Sequence, residues 1–168
     1  MANETRICPG CGGTLQSGRE NYKYTACGLP NITLMNVEVS RCKNCGEEIP
    51  DIPHVEALHR EIAFAIIKKH ARLTPAEIRY LRKYLGLSGV SFAELMGVDA
   101  TTVSRWESEK MAQPMGPQAE RLLRLLVARI RPVGEYPAET LARVAQGQPI
   151  PIRLGLMPRD EGWETQAA

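Results

Sequence analysis

The residues with the clearest chemistry in this sequence are cysteines. Four of the five cysteines fall in two C-x-x-C-G units with thirty residues between them. Two thiolates three positions apart on a tight turn can bind one ion together, and two such pairs complete a tetrahedron of sulfur ligands, which suits zinc. Because the protein fills all four positions, the ion would be structural. The expected ligands of one Zn²⁺ per chain are Cys8, Cys11, Cys42 and Cys45.

Other uses of paired C-x-x-C units are two disulfides, a thioredoxin-like redox pair or a small iron–sulfur centre. The spacing and the duplication favour zinc. The fifth cysteine, Cys27, has no evident partner base, and we interpret it as a free, partly buried thiol. We interpret His54, His59 and His70 as solvated helix residues, because two histidines five positions apart do not share a helical face.

The two cysteine units need a scaffold that brings them together. Apolar residues alternate on both sides of a turn at residues 28–31, which predicts a β-ribbon. A module with so few large apolar residues depends on its metal, so removal of zinc is expected to unfold it. The alternating residues are Tyr22, Tyr24, Ile32, Leu34, Val37 and Val39.

A long helix is predicted after the chain break at Pro50 and Pro53. Its apolar residues recur at intervals of three and four positions and form a stripe that needs a partner. The stripe either packs on the next domain or meets its symmetry mate in a dimer. The residues of the stripe are Val55, Leu58, Ile62, Ala65 and Ile66.

Capping residues mark further helices. Thr74 is expected to cap a helix that has Pro75 in its first position and ends at Gly86. A last helix is predicted to start near Pro117 and to close the core of this domain through a series of leucines.

A tight pair of short helices is predicted between these two. Ser91 and Glu94 form an expected capping box for a helix over residues 92–96. Asp99 is expected to cap the next helix, over residues 100–108. Two short helices joined so closely must cross at a large angle, as in a helix-turn-helix motif.

The second helix of this pair has a polar, partly basic face. Small hydroxyl residues allow close approach to base edges, and an arginine can donate two parallel hydrogen bonds to guanine O6 and N7. The alternative is an ordinary helical domain in which Arg105 is merely solvated. The predicted inner face consists of Phe92, Ala93, Met96, Val98, Val103 and Trp106. The predicted DNA-binding residues are Thr101, Thr102, Ser104 and Arg105.

The charge is unevenly distributed, although the net charge is only +2. Residues 60–131 contain 13 Lys or Arg against 7 Asp or Glu, whereas the rest of the chain contains 8 against 12. A basic segment is expected of a protein that binds the phosphate backbone, although a solvated helical surface gives the same count. No long apolar run or secretory signal is present, so a cytoplasmic protein without membrane contact is expected.

These patterns together predict an α+β fold. A small N-terminal β-ribbon zinc module, residues 1–50, precedes a linker helix over residues 51–71 and an all-α helix-turn-helix domain over residues 72–131. The remaining residues, 132–168, hold five prolines and four glycines and are predicted to be an irregular tail with one short helix within residues 137–146.

The ordered set of motifs resembles the MqsA-type, or YgiT-type, zinc-finger and helix-turn-helix antitoxins over residues 6–131. The motifs are the two cysteine units, the Gly-Leu-Pro-Asn turn from Gly28, Leu-Thr-Pro-Ala-Glu-Ile-Arg from Leu73, and Thr-Val-Ser-Arg-Trp-Glu from Thr102. The resemblance implies an Xre/Cro-type helical domain, a homodimer, a palindromic double-stranded DNA operator and a zinc domain that can engage a ribonuclease toxin. It also implies that the four cysteines are zinc ligands and that Arg105 contacts a base. Thr101 stands where the best-known member has asparagine, so a different operator is expected.

The leading hypothesis is therefore an antitoxin and autorepressor that binds its own operator and neutralises a RelE-like or MqsR-like RNA-cleaving toxin. The alternative is a free-standing, zinc-containing transcriptional regulator without a toxin. An enzyme is not expected, because the sequence indicates neither an open coordination position nor a positioned base.

Overall fold

An N-terminal sheet that contains the cysteine cluster precedes a run of helices, which confirms the predicted α+β class. The computed structural model describes residues 6–110, 113–130, 136–142 and 148–166. The strands are β1 (Leu15–Lys23), β2 (Ile32–Cys42), β3 (Glu48–Pro50), β4 (Leu154–Arg159) and β5 (Gly162–Gln166). The helices are α1 (Val55–Lys68), α2 (Pro75–Tyr84), α3 (Gly89–Met96), α4 (Ala100–Trp106), α5 (Pro117–Ile130) and α6 (Ala138–Ala142).

The predicted β-ribbon is present as the antiparallel pair β1 and β2. Its inward residues change phase once, because Leu34 and Val37 are both buried although they are three positions apart. A β-bulge in β2 at this point, where Met35 and Asn36 stand against Asn21 of β1, and the left-handed φ of Asn36, +53°, account for the change. The apolar residues on both sides of the bulge, Ile32, Leu34, Val37 and Val39, are therefore all buried in the core.

The C-terminal tail is not irregular over residues 148–166, so the prediction for this part was wrong. Strand β4 pairs in parallel with β2, with Ile32 opposite Leu154 and Leu34 opposite Leu156, and β5 pairs with β4. The alternation in β4 is too short to stand out in the sequence, and its partner strand lies near the other end of the chain. Helix α6 lies within the predicted range 137–146, of which residues 143–146 fall outside the described residues.

Helix α1 buries its apolar stripe inside the chain, which favours the intramolecular alternative. The helix contacts β5, α2 and α5, and Leu58, Ile62 and Ile66 are inaccessible to solvent. Full burial of such a side chain contributes about 1.5–3 kcal/mol. Val55, which was also expected in the stripe, is exposed. No helix among the described residues is long and apolar enough to cross a membrane.

The sequence suggested that His59 on α1 is solvated, but this was wrong. The side chain of His59 joins the ribbon to α2. Its Nδ1 lies 2.9 Å from the hydroxyl of Tyr80, which donates to the His59 carbonyl, and its Nε2 lies 3.2 Å from the hydroxyl of Tyr24. A neutral ring with its proton on Nδ1 satisfies all three contacts. Burial lowers the pKa of His59, which favours this neutral form.

Helix α2 begins as the sequence predicts, whereas α3 does not. The Thr74 hydroxyl and the Glu77 carboxylate form a complete capping box at the start of α2. Helix α3 starts three residues earlier than predicted, because Ser88 accepts from the amide of Ser91. Gly89 and Val90 have low helix propensity, which hid this first turn in the sequence.

Two buried carboxylates organise the junction between α1, α2 and α5. Glu77 and Glu120 are each 1% exposed. Lys69 donates to Glu77 at 2.6 Å, while Arg72 and Arg124 donate to Glu120 at 2.6 and 2.8 Å. Arg124 is itself fully buried, and it also donates to three main-chain carbonyls that follow or end α1, those of Ile67, Lys69 and Ala71. This charged cluster therefore fixes the end of α1 against α5.

We predict that Glu120→Ala lowers the free energy of unfolding by about 3–5 kcal/mol, because it leaves Arg124 buried without a counter-charge. Urea denaturation followed by circular dichroism measures the change. The control, Glu109→Ala, removes an exposed carboxylate and is expected to change stability by about 0.5 kcal/mol or less. Equal midpoints for the two variants would contradict a stabilising role of the buried cluster.

Candidate zinc centre and DNA-binding surface

Two similar turns hold the four cysteines. In the first, the Cys8 amide donates to Gly13 O and the Gly12 amide donates to Cys8 O. In the second, the Cys42 amide donates to Glu47 O and the Gly46 amide donates to Cys42 O. Gly12 and Gly46 have φ values of +71° and +75°, which glycine adopts without strain. The glycine of each C-x-x-C-G unit therefore closes its turn.

The four sulfur atoms are arranged as zinc requires. All of them lie within 4.8 Å of one another, with separations of 3.4 Å between Cys11 and Cys42 and 3.7 Å between Cys8 and Cys45. Zn–S bonds of about 2.3 Å in a tetrahedron place sulfur atoms about 3.8 Å apart. The chain thus has a tetrahedral site for one structural Zn²⁺, which confirms the predicted cofactor. Because the four cysteines fill all four coordination positions, this site leaves no position open for a substrate.

The environment of the thiols differs between the two turns. Hydrogen bonds from the amides of Cys45 and Asn44 lower the pKa of Cys42 to about 6. Burial raises the pKa of Cys8, whose Sγ lies 3.2 Å from the Glu47 carboxylate. Cys42 therefore offers a thiolate near neutral pH, and a bound cation would replace the remaining thiol protons.

Cys27 lies outside this group, as predicted. Its half-buried thiol donates to the Tyr24 carbonyl at 3.3 Å, and burial raises its pKa. Among the described residues, the four zinc ligands form the one cluster of three or more His, Cys, Asp or Glu side chains that could bind a metal. A catalytic thiolate at Cys27 is therefore not favoured.

Helix α4 separates apolar from polar residues as the sequence predicts. Val103 and Trp106 are buried, whereas Thr101, Ser104 and Arg105 are exposed. The fourth predicted contact, Thr102, is partly buried. Asp99 occupies the N-cap position, although its side chain makes no capping hydrogen bond. The arrangement leaves one polar face of α4 available to a ligand.

Sequence reasoning missed the ion pair that holds the end of α4. The buried Glu107 carboxylate accepts two hydrogen bonds from Arg82 of α2, at 2.6 and 2.8 Å, and its carbonyl accepts from Arg79. Both arginines belong to the basic segment, residues 60–131, whose charge suggested binding to the phosphate backbone. They instead hold α4 on α2. No local sequence pattern indicates this ion pair, because Arg82 and Glu107 are 25 positions apart.

We predict that Cys42→Ser reduces the bound zinc from one ion per chain to none and unfolds the β-ribbon, because three thiolates cannot close the site. Metal analysis of the purified protein and circular dichroism measure both effects. Cys27→Ser is the matched control and is expected to retain one zinc ion. A wild-type protein that carries no zinc after metal-replete purification would refute the assignment.

Comparison with known protein families identifies the family of this chain. The family model described as the antitoxin component of a bacterial toxin-antitoxin system, MqsA, matches residues 6–130. Comparisons with curated proteins and with solved structures gave no match. The match covers the cysteine turns, the ribbon and helices α1 to α5. The chain therefore belongs to the MqsA antitoxin family and is an antitoxin of a toxin-antitoxin system.

Proposed function

We propose that this antitoxin is also the repressor of its own operon, with α4 as the helix that contacts the bases of a double-stranded operator. The observation that supports the proposal is the exposed polar face of α4 on a helix pair that is closed by Gly97 and held by Glu107. A recognition helix needs both properties, because the interaction with bases requires an accessible face and a fixed orientation.

Arg105 and Thr101 are the principal base contacts in this proposal. They are four positions apart and therefore lie on one side of α4. Among the described residues, Arg105 forms no ion pair, so its guanidinium is available for the O6 and N7 atoms of a guanine. Thr101 can contact the methyl group of a thymine or donate to a neighbouring base. Thr102 and Ser104 would contact the adjacent bases or phosphates.

The basic character of residues 60–131 contributes less to DNA binding than the sequence suggested. Five of the cations in this segment are used inside the protein, in ion pairs or hydrogen bonds with Glu77, Glu107 and Glu120: Lys69, Arg72, Arg79, Arg82 and Arg124. Phosphate contacts must come from exposed cations such as Lys83 and Lys110. A moderate dependence of affinity on salt is therefore expected.

The second part of the proposal concerns the toxin and the assembly. We assign the zinc lobe, defined as β1 to β3 with the two cysteine turns, as the part that binds a RelE-like or MqsR-like RNA-cleaving toxin. The helical part forms the homodimer that binds the two halves of a palindromic operator. Support for both statements comes from membership of the antitoxin family.

We predict that Arg105→Ala weakens binding to the operator by about 1–3 kcal/mol and relaxes specificity at one base pair in each half-site. Titration of the promoter DNA of the protein's own operon, at fixed salt, measures the effect. Arg19→Ala removes an exposed arginine from β1 and is expected to leave affinity unchanged. Equal affinities of the wild type and Arg105→Ala would reject α4 as the recognition helix.

We also predict that the gene next to this one encodes a small basic ribonuclease that is toxic alone and harmless when this chain is present. Co-expression, co-purification and mass spectrometry test the pair. The Cys42→Ser variant is expected to lose toxin binding, because the zinc lobe unfolds. Specific operator binding without any neighbouring toxin would instead support a free-standing transcriptional regulator.

A further inference from the structure

Residues 148–166, named here the C-terminal clasp, lie beyond the residues that match the antitoxin family. The clasp adds β4 and β5 to the sheet of the zinc lobe. Leu156 and Trp163 bury their side chains in the common core. The clasp is thus an integral layer of the fold rather than an appendage, and it contains none of the residues proposed above to bind zinc or DNA.

The clasp also contacts the helix-turn-helix lobe, defined as α2 to α5, before it reaches the sheet. The Ile152 amide donates to Glu77 Oε1 at 2.9 Å, and the Ile150 carbonyl accepts from Lys69 at 2.6 Å. The other oxygen of Glu77 accepts from the Thr74 amide, at 2.7 Å, and from the Thr74 hydroxyl. The carboxylate that caps α2 is therefore shared between α2 and the clasp.

The contact between the clasp and α2 is important for stability because both bind the same Glu77 carboxylate. Glu77 is almost completely buried, so water cannot replace a lost hydrogen bond to Oε1 without a local opening of the structure. If the clasp leaves, Oε1 loses the Ile152 amide and becomes accessible to water, so the Glu77 carboxylate is held less firmly in the capping box at Thr74. The position of the clasp therefore affects the first turn of α2.

At its other end, the clasp depends on the zinc lobe. Leu154 and Leu156 pair with Ile32 and Leu34 of β2, and the Leu154 amide donates to Asn31 O at 3.0 Å. Farther along, Trp163 Nε1 donates to the carbonyl of Pro53, just before α1, at 2.9 Å. When β2 loses its structure, β4 loses its parallel partner, and parallel pairing has no local turn to maintain it.

We propose that the C-terminal clasp couples the two lobes, so that the folded state of the zinc lobe determines how firmly the first turn of α2 is capped. The path runs from β2 to β4, then through Ile152 to Glu77 and Thr74. The use of this coupling to regulate operator binding rests on the proposed function, whereas the coupling itself does not require DNA.

Hydrogen exchange with mass spectrometry on the full chain, with zinc bound and after treatment with a chelator, tests the proposal without DNA. In the wild type, chelation is expected to accelerate exchange about tenfold or more in β2, in the clasp and in residues 74–78. Leu156→Asp places a charge in the core and detaches β4, so residues 74–78 should exchange rapidly even with zinc bound. Thr165→Asp, which changes an exposed residue on β5, is the matched control and should behave as the wild type.

Two results would overturn the coupling. One is a wild-type protein in which chelation opens β2 but leaves residues 74–78 protected. The other is zinc-bound Leu156→Asp in which residues 74–78 remain as protected as in the Thr165→Asp control. If Leu156→Asp loses its zinc or the protection of α5, Trp163→Ala replaces it and is judged by the same two criteria. Failure of operator binding would count against the proposed function alone, since these measurements contain no DNA.

Discussion

The burial of Glu77 and Glu120 is the constraint on which the arrangement of this molecule depends. A carboxylate without solvent must be matched by cations and hydrogen-bond donors, and these donors come from several parts of the chain. Arg124 belongs to α5, Lys69 and Arg72 belong to the segment after α1, and the Ile152 amide belongs to the C-terminal clasp. Apolar packing could tolerate small shifts among these elements, whereas the directional bonds of two buried carboxylates allow one arrangement.

This constraint reaches the proposed DNA-binding surface through α2. The start of α2 is fixed by Glu77, and its last turns hold Glu107 through Arg82. Glu107 follows α4 directly, so the orientation of the proposed recognition helix is set by an ion pair with α2, the helix that the buried cluster positions. Five of the 13 cations that gave the central segment its basic appearance are therefore structural. In the proposed function, a few residues on α4 would then be responsible for sequence recognition.

The sequence predicted the parts of the molecule in which spacing is local. Both cysteine turns and the capping box at Thr74 follow from residues within a few positions of one another. The start of α3 was misplaced because Ser88 and Ser91 both offer a capping hydroxyl, and tertiary packing decides between them. His59 and β4 could not be predicted, because their partners lie in distant elements and polar residues on a helix or in a proline-rich tail are usually solvated.

Strand β2 links the metal to the rest of the fold, since it is held by different means at its two ends. Cys42 ties its last residue to zinc, β3 pairs with residues 39–41, and β4 pairs with residues 32–34. A ribbon of two strands is marginally stable in water, so loss of either end weakens the pairing at the other. Metal binding at the cysteine turns and docking of the clasp are therefore expected to be cooperative, even though they occur at opposite ends of the strand. In a protein arranged in this way, zinc stabilises more than the lobe that binds it.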